Sequence, residues 1–203
     1  MKQLKCIDLT GGDVMLKVSD SSIVSKAISA SERLREQLNP SIVHAGVMFD
    51  GTYVIEALQN GISGSDLRVQ NRTFGYMVYR PTLDSLARGA AAFAKMMFDI
   101  NSTAGTVKYN FPLTAIAPGG MGIPMTASAM SRMFDGLLKS RGHRLYCSQF
   151  VVWLYQFVAE QNGVTGSELF SAGDAKVSPS NLASLLQGNP WFRELGYLMP
   201  NER

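Results

Sequence analysis

The sequence predicts an α+β fold, with a central antiparallel sheet of about five strands packed by helices. Three observations carry this. Short apolar runs with β-type patterning crowd the first eighty residues. Asp50-Gly51 sits between two of them, as a hairpin turn does. Beyond Pro81 the apolar spacing changes to the period of a helix.

The elements follow in order. Gly12-Asp13-Val14-Met15-Leu16-Lys17-Val18 reads as a first strand entered through a tight glycine turn. Ser21 to Leu38 places Ile23, Ala27, Ala30, Leu34 and Leu38 at helical spacing, with Ser21 or Ser22 as N-cap and Asn39-Pro40 as stop. Strands are expected at Ile42–Phe49, Thr52–Leu58, Ser65–Val69 and Phe74–Arg80. Counted back from the turn, residue 44 pairs near 57, so His44 and Glu56 fall on neighbouring strands within one residue of opposite. Leu83, Leu86, Ala90, Phe93 and Met97 form one face of a helix. Asn101 to Pro124 is rich in Gly, Pro, Thr and Ala and reads as a long irregular loop. Met125 to Leu138 is a Met-rich helix, Cys147 to Glu160 another, closing at Asn162-Gly163. Ser178 to Leu182 starts a last short helix, with Pro179 in its first turn. The economical organisation is one domain over 1–203, with 82–142 as a helical and loop insertion that would serve as a lid or as a wall of the substrate groove.

Composition narrows the function. The chain has 203 residues, 46% hydrophobic and 17% charged, which suits a globular protein with a full core. A net charge of +3, with no basic cluster interleaved with aromatics, argues against nucleic acid. Two cysteines make no disulfide framework, although a Cys6–Cys147 bridge is open to the sequence. No Cys-x-x-Cys or His-rich spacing points to a metal, and no cofactor motif is present. The N-terminus lacks the apolar stretch of roughly 7–15 residues that a signal peptide needs, and no run is long enough to span a bilayer. The expectation is a protein made in the cytosol without a cleaved leader.

The chemistry-bearing residues are few. The chain has two histidines and two cysteines, and one of each sits where a base and a nucleophile would. Cys147 heads an apolar helix, whose free N–H groups and dipole favour a thiolate. A free thiol titrates near about 8.5, and such a position beside an imidazolium lowers that to roughly 3.5–7.5. His44 would be the base, and Glu56 would fix its tautomer by accepting from the other ring nitrogen. This reading asks for the Cys147 sulfur within about 4 Å of a His44 nitrogen. The bland alternative makes Cys147 a small core residue and His44 a satisfied one. Glu56, in Val54-Ile55-Glu56-Ala57, fits that alternative least well, because a buried carboxylate needs a partner. His143 lies in a charged Arg141-Gly142-His143-Arg144 turn and reads as solvated, and Cys6 has no basic partner nearby.

Five pieces, in order, carry a resemblance: Gly12-Asp13-Val14, His44-Ala45-Gly46-Val47, Val54-Ile55-Glu56-Ala57, Val78-Tyr79-Arg80-Pro81 and Tyr146-Cys147-Ser148-Gln149-Phe150. Val177 to Leu182 fits the family's end. The set resembles the circularly permuted NlpC-type papain-fold cysteine peptidases, the YiiX-like proteins related to lecithin:retinol acyltransferase. The resemblance implies a permuted papain-like fold with a Cys147 nucleophile, a His44 base and an orienting Glu56. The permutation accounts for a base that precedes its nucleophile. A looser match through Tyr109-Asn110-Phe111 makes Tyr109 a candidate substrate-binding residue. The implied reaction is cleavage of an amide in bacterial cell-wall peptide, as an amidase or endopeptidase. Lipid acyl hydrolysis or transfer is the alternative from the same family, and a non-catalytic papain-like binding module is a third reading. Without a leader, a cell-wall enzyme would be a toxin exported by a dedicated machine such as a type VI system, with an immunity protein as partner, or a cytosolic recycling enzyme.

Overall fold

In a computed structural model, residues 2–18, 42–58, 61–104, 147–170, 177 and 179–200 are described. The strands are β1 (Gln3–Leu4), β2 (Val14–Val18), β3 (Ile42–Asp50), β4 (Tyr53–Leu58), β5 (Gly61–Asp66), β6 (Gly75–Pro81) and β7 (Phe192–Leu198). The α-helices are α1 (Asp84–Ala104), α2 (Cys147–Gln161), α3 (Gly166–Leu169) and α4 (Pro179–Leu186). A 3-10 turn covers Cys6–Asp8. The helix expected over 21–38, the part of the expected 101–124 loop beyond Ala104, the helix over 125–138, and residues Tyr109 and His143 lie outside the described residues. Residues 101–104, expected to open that loop, instead form the last turn of α1.

The architecture is α+β, with one seven-stranded sheet in the order β1-β7-β6-β2-β3-β4-β5. This corrects the expected five antiparallel strands in two respects. The sheet is mixed, because β1 runs parallel to β7. Its outer strands also differ from the expectation. β7 and β1 carry too little periodicity to be read locally, and β5 falls on glycine- and serine-rich Gly61–Asp66 rather than on Ser65–Val69. Such a weak strand forms because β4 offers it a ladder from Tyr53–Asp66 to Leu58–Gly61.

Alternation along each strand divides the core into two layers. On one face Val14, Leu16, Ala45, Val47, Ile55 and Tyr79 pack against α1, α2 and α4. From the helices come Leu86, Ala90, Phe93 and Met97 of the expected α1 face, with Phe150, Val151 and Leu154 of α2. Leu83 precedes the helix and is exposed, so the apolar stripe starts one turn later than its spacing predicts. Phe93 and Phe157 stack at 4.5 Å between ring centroids and lock α1 to α2. The other face buries Met15, Met48, Val54, Tyr76 and Val78 under Leu4, Leu9, Leu67 and Leu198. Each fully buried side chain of this size contributes roughly 1.5–3 kcal/mol, so both layers hold the sheet.

The turn into β2 is set by Gly12, at φ +87°. A side chain there would run into the backbone of Ala87 in α1, while its carbonyl accepts from the buried Tyr155 hydroxyl of α2. Asp13 follows, fully buried, and meets Arg80 of β6 through a two-point ion pair.

Candidate functional site

The β3–β4 hairpin does join His44 to Glu56, though by a different register from the one expected. Asp50 Oδ1 accepts from the backbone N–H groups of Thr52 and Tyr53, and a bulge between Met48 and Asp50 shifts the pairing. Gly46, rather than residue 45, therefore stands opposite Glu56. His44 reaches Glu56 along the diagonal, with Nε2 at 3.5 Å from Oε1. Gly46 is what clears the path. A Cβ there would lie 2.8 Å from the Glu56 Cγ and 2.8 Å from Val54 Cγ2. The glycine of His44-Ala45-Gly46 is thus a site residue that the sequence reading passed over.

Cys147 arrives from the helical side as the first residue of α2. Its thiol is buried at the place where the β3–β4 ladder ends. Gly46–Glu56 is the last pair of that ladder, and the N–H of Ala45, just beyond it, donates to Cys147 Sγ at 3.2 Å. The backbone N–H groups of Ser148 and Cys147 also face the sulfur. Next to it, the fully buried Ser148 donates its hydroxyl to the Val177 carbonyl, tying the start of α2 to the segment that leads into α4. Both cysteines are free thiols, so the Cys6–Cys147 bridge is not formed.

The strand alternation bears on the expected Cys147–His44–Glu56 triad. Ala45 and Val47 belong to the helix-side layer with Cys147, whereas Met48 and Val54 belong to the other layer. His44 and Glu56 share the parity of Met48 and Val54, so their side chains leave the sheet away from the helices. Sulfur and imidazole are thus on opposite sides of β3 at the seam where the ladder ends, the sulfur against the Ala45 N–H and the imidazole beside Glu56, and the direct contact expected between them is not made. Among the described residues no hydrogen bond joins them, and His44 Nε2 is a buried nitrogen without a hydrogen-bond partner.

Burial governs the charges. It pushes the Cys147 thiol up, against the opposing pull of the N–H groups of Ala45 and Ser148. It pushes His44 down to about 4, helped by the Lys17 ammonium. It pushes Glu56 up to about 7, against the Lys17 charge and a hydrogen bond from Ser65. His44 and Glu56 are therefore not an ion pair over most of the pH range: each is driven toward its neutral form. Burial thus favours the uncharged form of all three groups at rest: thiol, imidazole and carboxyl.

Among the described residues, no group of three His, Cys, Asp or Glu side chains is placed to hold a metal ion. No described helix is long and apolar enough to cross a membrane. Comparison with protein-family models, with curated proteins and with solved structures returned no match.

Proposed function

We propose that the chain is a cysteine hydrolase that cleaves an amide bond, with Cys147 as nucleophile, His44 as base and Glu56 as the residue that orients the imidazole. The observation that supports this most is the seam itself. The sulfur accepts the N–H of the residue that follows His44, and Glu56 stands 3.5 Å from His44 Nε2. A thiol held up by burial and a histidine held neutral start from the uncharged pair, without a preformed thiolate–imidazolium. The proton then passes from sulfur to imidazole as sulfur attacks the carbonyl, and on to the leaving amine when the C–N bond breaks. Water hydrolyses the resulting thioester by the same base. Proton transfer requires Cys147 and His44 to close to hydrogen-bond distance with substrate bound, as catalytic contacts commonly do. The N–H groups of Ala45 and Ser148 stabilise negative charge on sulfur along the way.

The substrate class comes from the resemblance of the motifs: bacterial cell-wall peptide, with lipid esters as the alternative acyl donor. Incubation of the protein with peptidoglycan sacculi, and separately with phospholipid vesicles, followed by mass analysis of the products, tests both. Muropeptides cut at an amide, absent with Cys147→Ala, support the amidase. Released fatty acid supports the lipid reading.

The non-catalytic module has two observations in its favour, the burial of the Cys147 thiol and the departure of the Cys147 and His44 side chains to opposite faces of the sheet. Alkylation of Cys147 by iodoacetamide across pH separates it from the enzyme. A rate that tracks an ordinary thiol, with no product from sacculi or vesicles, selects the module.

A further inference from the structure

On the face of the sheet away from the helices, Tyr76, Lys17 and His44 stand in one row. Lys17 is opposite both Tyr76 on β6 and His44 on β3. Its ammonium donates to Asn71 Oδ1 at 3.0 Å and lies 3.6 Å from the centroid of the Phe74 ring. The Asn71 amide donates to Ser65 Oγ at 2.6 Å, and the Ser65 side chain is hydrogen-bonded to Glu56. Glu56 returns to His44.

The direction of this chain is forced by its first member. An ammonium has only protons to give, so the Asn71 carbonyl must face Lys17 and its NH₂ must face Ser65. Ser65 Oγ, having accepted from Asn71, has its own proton left for Glu56. Every donor therefore points toward the carboxylate, an arrangement in which successive bonds polarise one another. Purely structural networks usually satisfy their own atoms. Here, among the described residues, His44 Nε2 and the Tyr76 hydroxyl are buried without hydrogen-bond partners, at the two flanks of Lys17.

We propose that Lys17 is a positioning residue of the candidate site: acting through Asn71 and Ser65, it holds the Glu56 carboxylate as an acceptor and so sets the orientation of His44. The role in catalysis rests on the cysteine-hydrolase reading; the coupling of Lys17 to Glu56 does not. The charged and titratable groups that face Glu56 are Lys17 from β2, His44 from β3, Tyr76 from β6 and Cys147 from α2, with the Ser65 hydroxyl from β5. Lys17 is the cation among them that favours the carboxylate, and it disfavours a charged imidazole.

The test is a ¹³C NMR titration of the Glu56 carboxyl, assigned by its loss in Glu56→Gln, in the native chain and in Lys17→Met, Lys17→Arg and Ser65→Ala. Lys17→Met should move the Glu56 midpoint up by about one pH unit, the low end for an opposite charge nearby. Ser65→Ala should move it up by less, and Lys17→Arg should restore it. The acid limb of kcat/KM should follow the NMR midpoint, with KM little changed. A Glu56 midpoint in folded Lys17→Met that coincides with the native one overturns the proposal, as does lost activity without that shift. Should Lys17→Met not fold, Ser65→Ala decides by the same midpoint. Failure of the hydrolase reading shows separately, as activity kept by Cys147→Ala, and leaves the NMR result intact.

Discussion

Arg80 with Asp13, and His44 with Glu56, each bring a basic and an acidic side chain together at the same sheet, and the two clusters are finished differently. Around Arg80 the geometry is closed. Its Nε donates to Asp13 Oδ1 at 2.7 Å, and Nη2 donates to Asp13 Oδ2 and to the Asp8 carbonyl, each at 2.7 Å. Asp13 Oδ2 takes a further bond from the Thr10 N–H at 2.9 Å. Around His44 the closest approach to the carboxylate is 3.5 Å, and two buried polar atoms lack partners among the described residues. A forked guanidinium–carboxylate pair with its remaining oxygens satisfied is what a buried charge needs to be tolerated as structure. The second cluster is left open, which costs stability and is the arrangement expected if the proposed active site lies there.

The comparison breaks or sharpens under substitution. The largest effect should be on activity: Cys147→Ala lowers the hydrolysis rate by about 10⁴-fold or more, while costing about 1 kcal/mol of stability. His44→Ala should match that loss of rate, because members of such a unit do not act additively, and Glu56→Gln should be milder. Assays on sacculi or vesicles, run beside thermal unfolding, measure both quantities. Full activity in Cys147→Ala would move the seam into the structural class.

Next in size is the clamp. Asp13→Ala strands the partly buried Arg80 guanidinium and should cost about 3–5 kcal/mol, lowering Tm by roughly 10 °C. Denaturant unfolding reads it directly, and a loss below about 1 kcal/mol would show the clamp to be no more than a surface pair.

The pH dependence of stability separates the clusters further. His44, ordinarily 6.5, is held down to about 4, so its share of stability is present above 6.5 and is lost as pH falls through 4. Glu56, ordinarily 4.5, is pushed up to about 7, so its share is present below 4.5 and is lost as pH rises through 7. Between about 4.5 and 6.5 the two slopes oppose each other, and the native chain should show little net change from this pair. Glu56→Gln should therefore become more stable as pH rises from 4 to 6.5, and His44→Gln less stable as pH rises from 4.5 to 7. Unfolding curves at four or five pH values decide it; parallel curves for both variants would refute the assignment of charges.

The smallest effect is the most pointed. Tyr76→Phe removes a buried hydroxyl that has no partner among the described residues, and should raise stability by up to about 1 kcal/mol. No comparable gain should come from any single deletion around Arg80.

Much of the site was legible in the sequence because its signals are local. Asp50-Gly51 placed Glu56 on the strand beside His44, and the apolar helical run fixed Cys147 at the head of α2. The bulge that puts Gly46 opposite Glu56 was not legible, since it depends on how the Asp50 side chain caps the turn. Nor was the Lys17–Asn71–Ser65 chain, in which the turn after β5 carries Asn71 back to Ser65 while Lys17 reaches it from β2, 54 residues away in the chain. β7 escaped because Arg193 and Glu194 stand side by side and Gly196 interrupts what apolar pattern Phe192–Leu198 has, and β1 because two residues have no period at all. Both are strands by virtue of partners far away in the chain.

That last point bears on how the protein is made. β6 gains its outer neighbour only when Phe192–Leu198 has been synthesised, more than a hundred residues after β6 itself. Until then its ladder edge stands open, flanked by Tyr76 and Val78, which the finished sheet buries completely. Cys147 likewise finds Ala45 across 102 residues. A topology of such distant pairings folds slowly and late, with a sticky edge on view in the meantime. On the ribosome, a nascent chain halted before β7 is therefore a species for chaperones to shield.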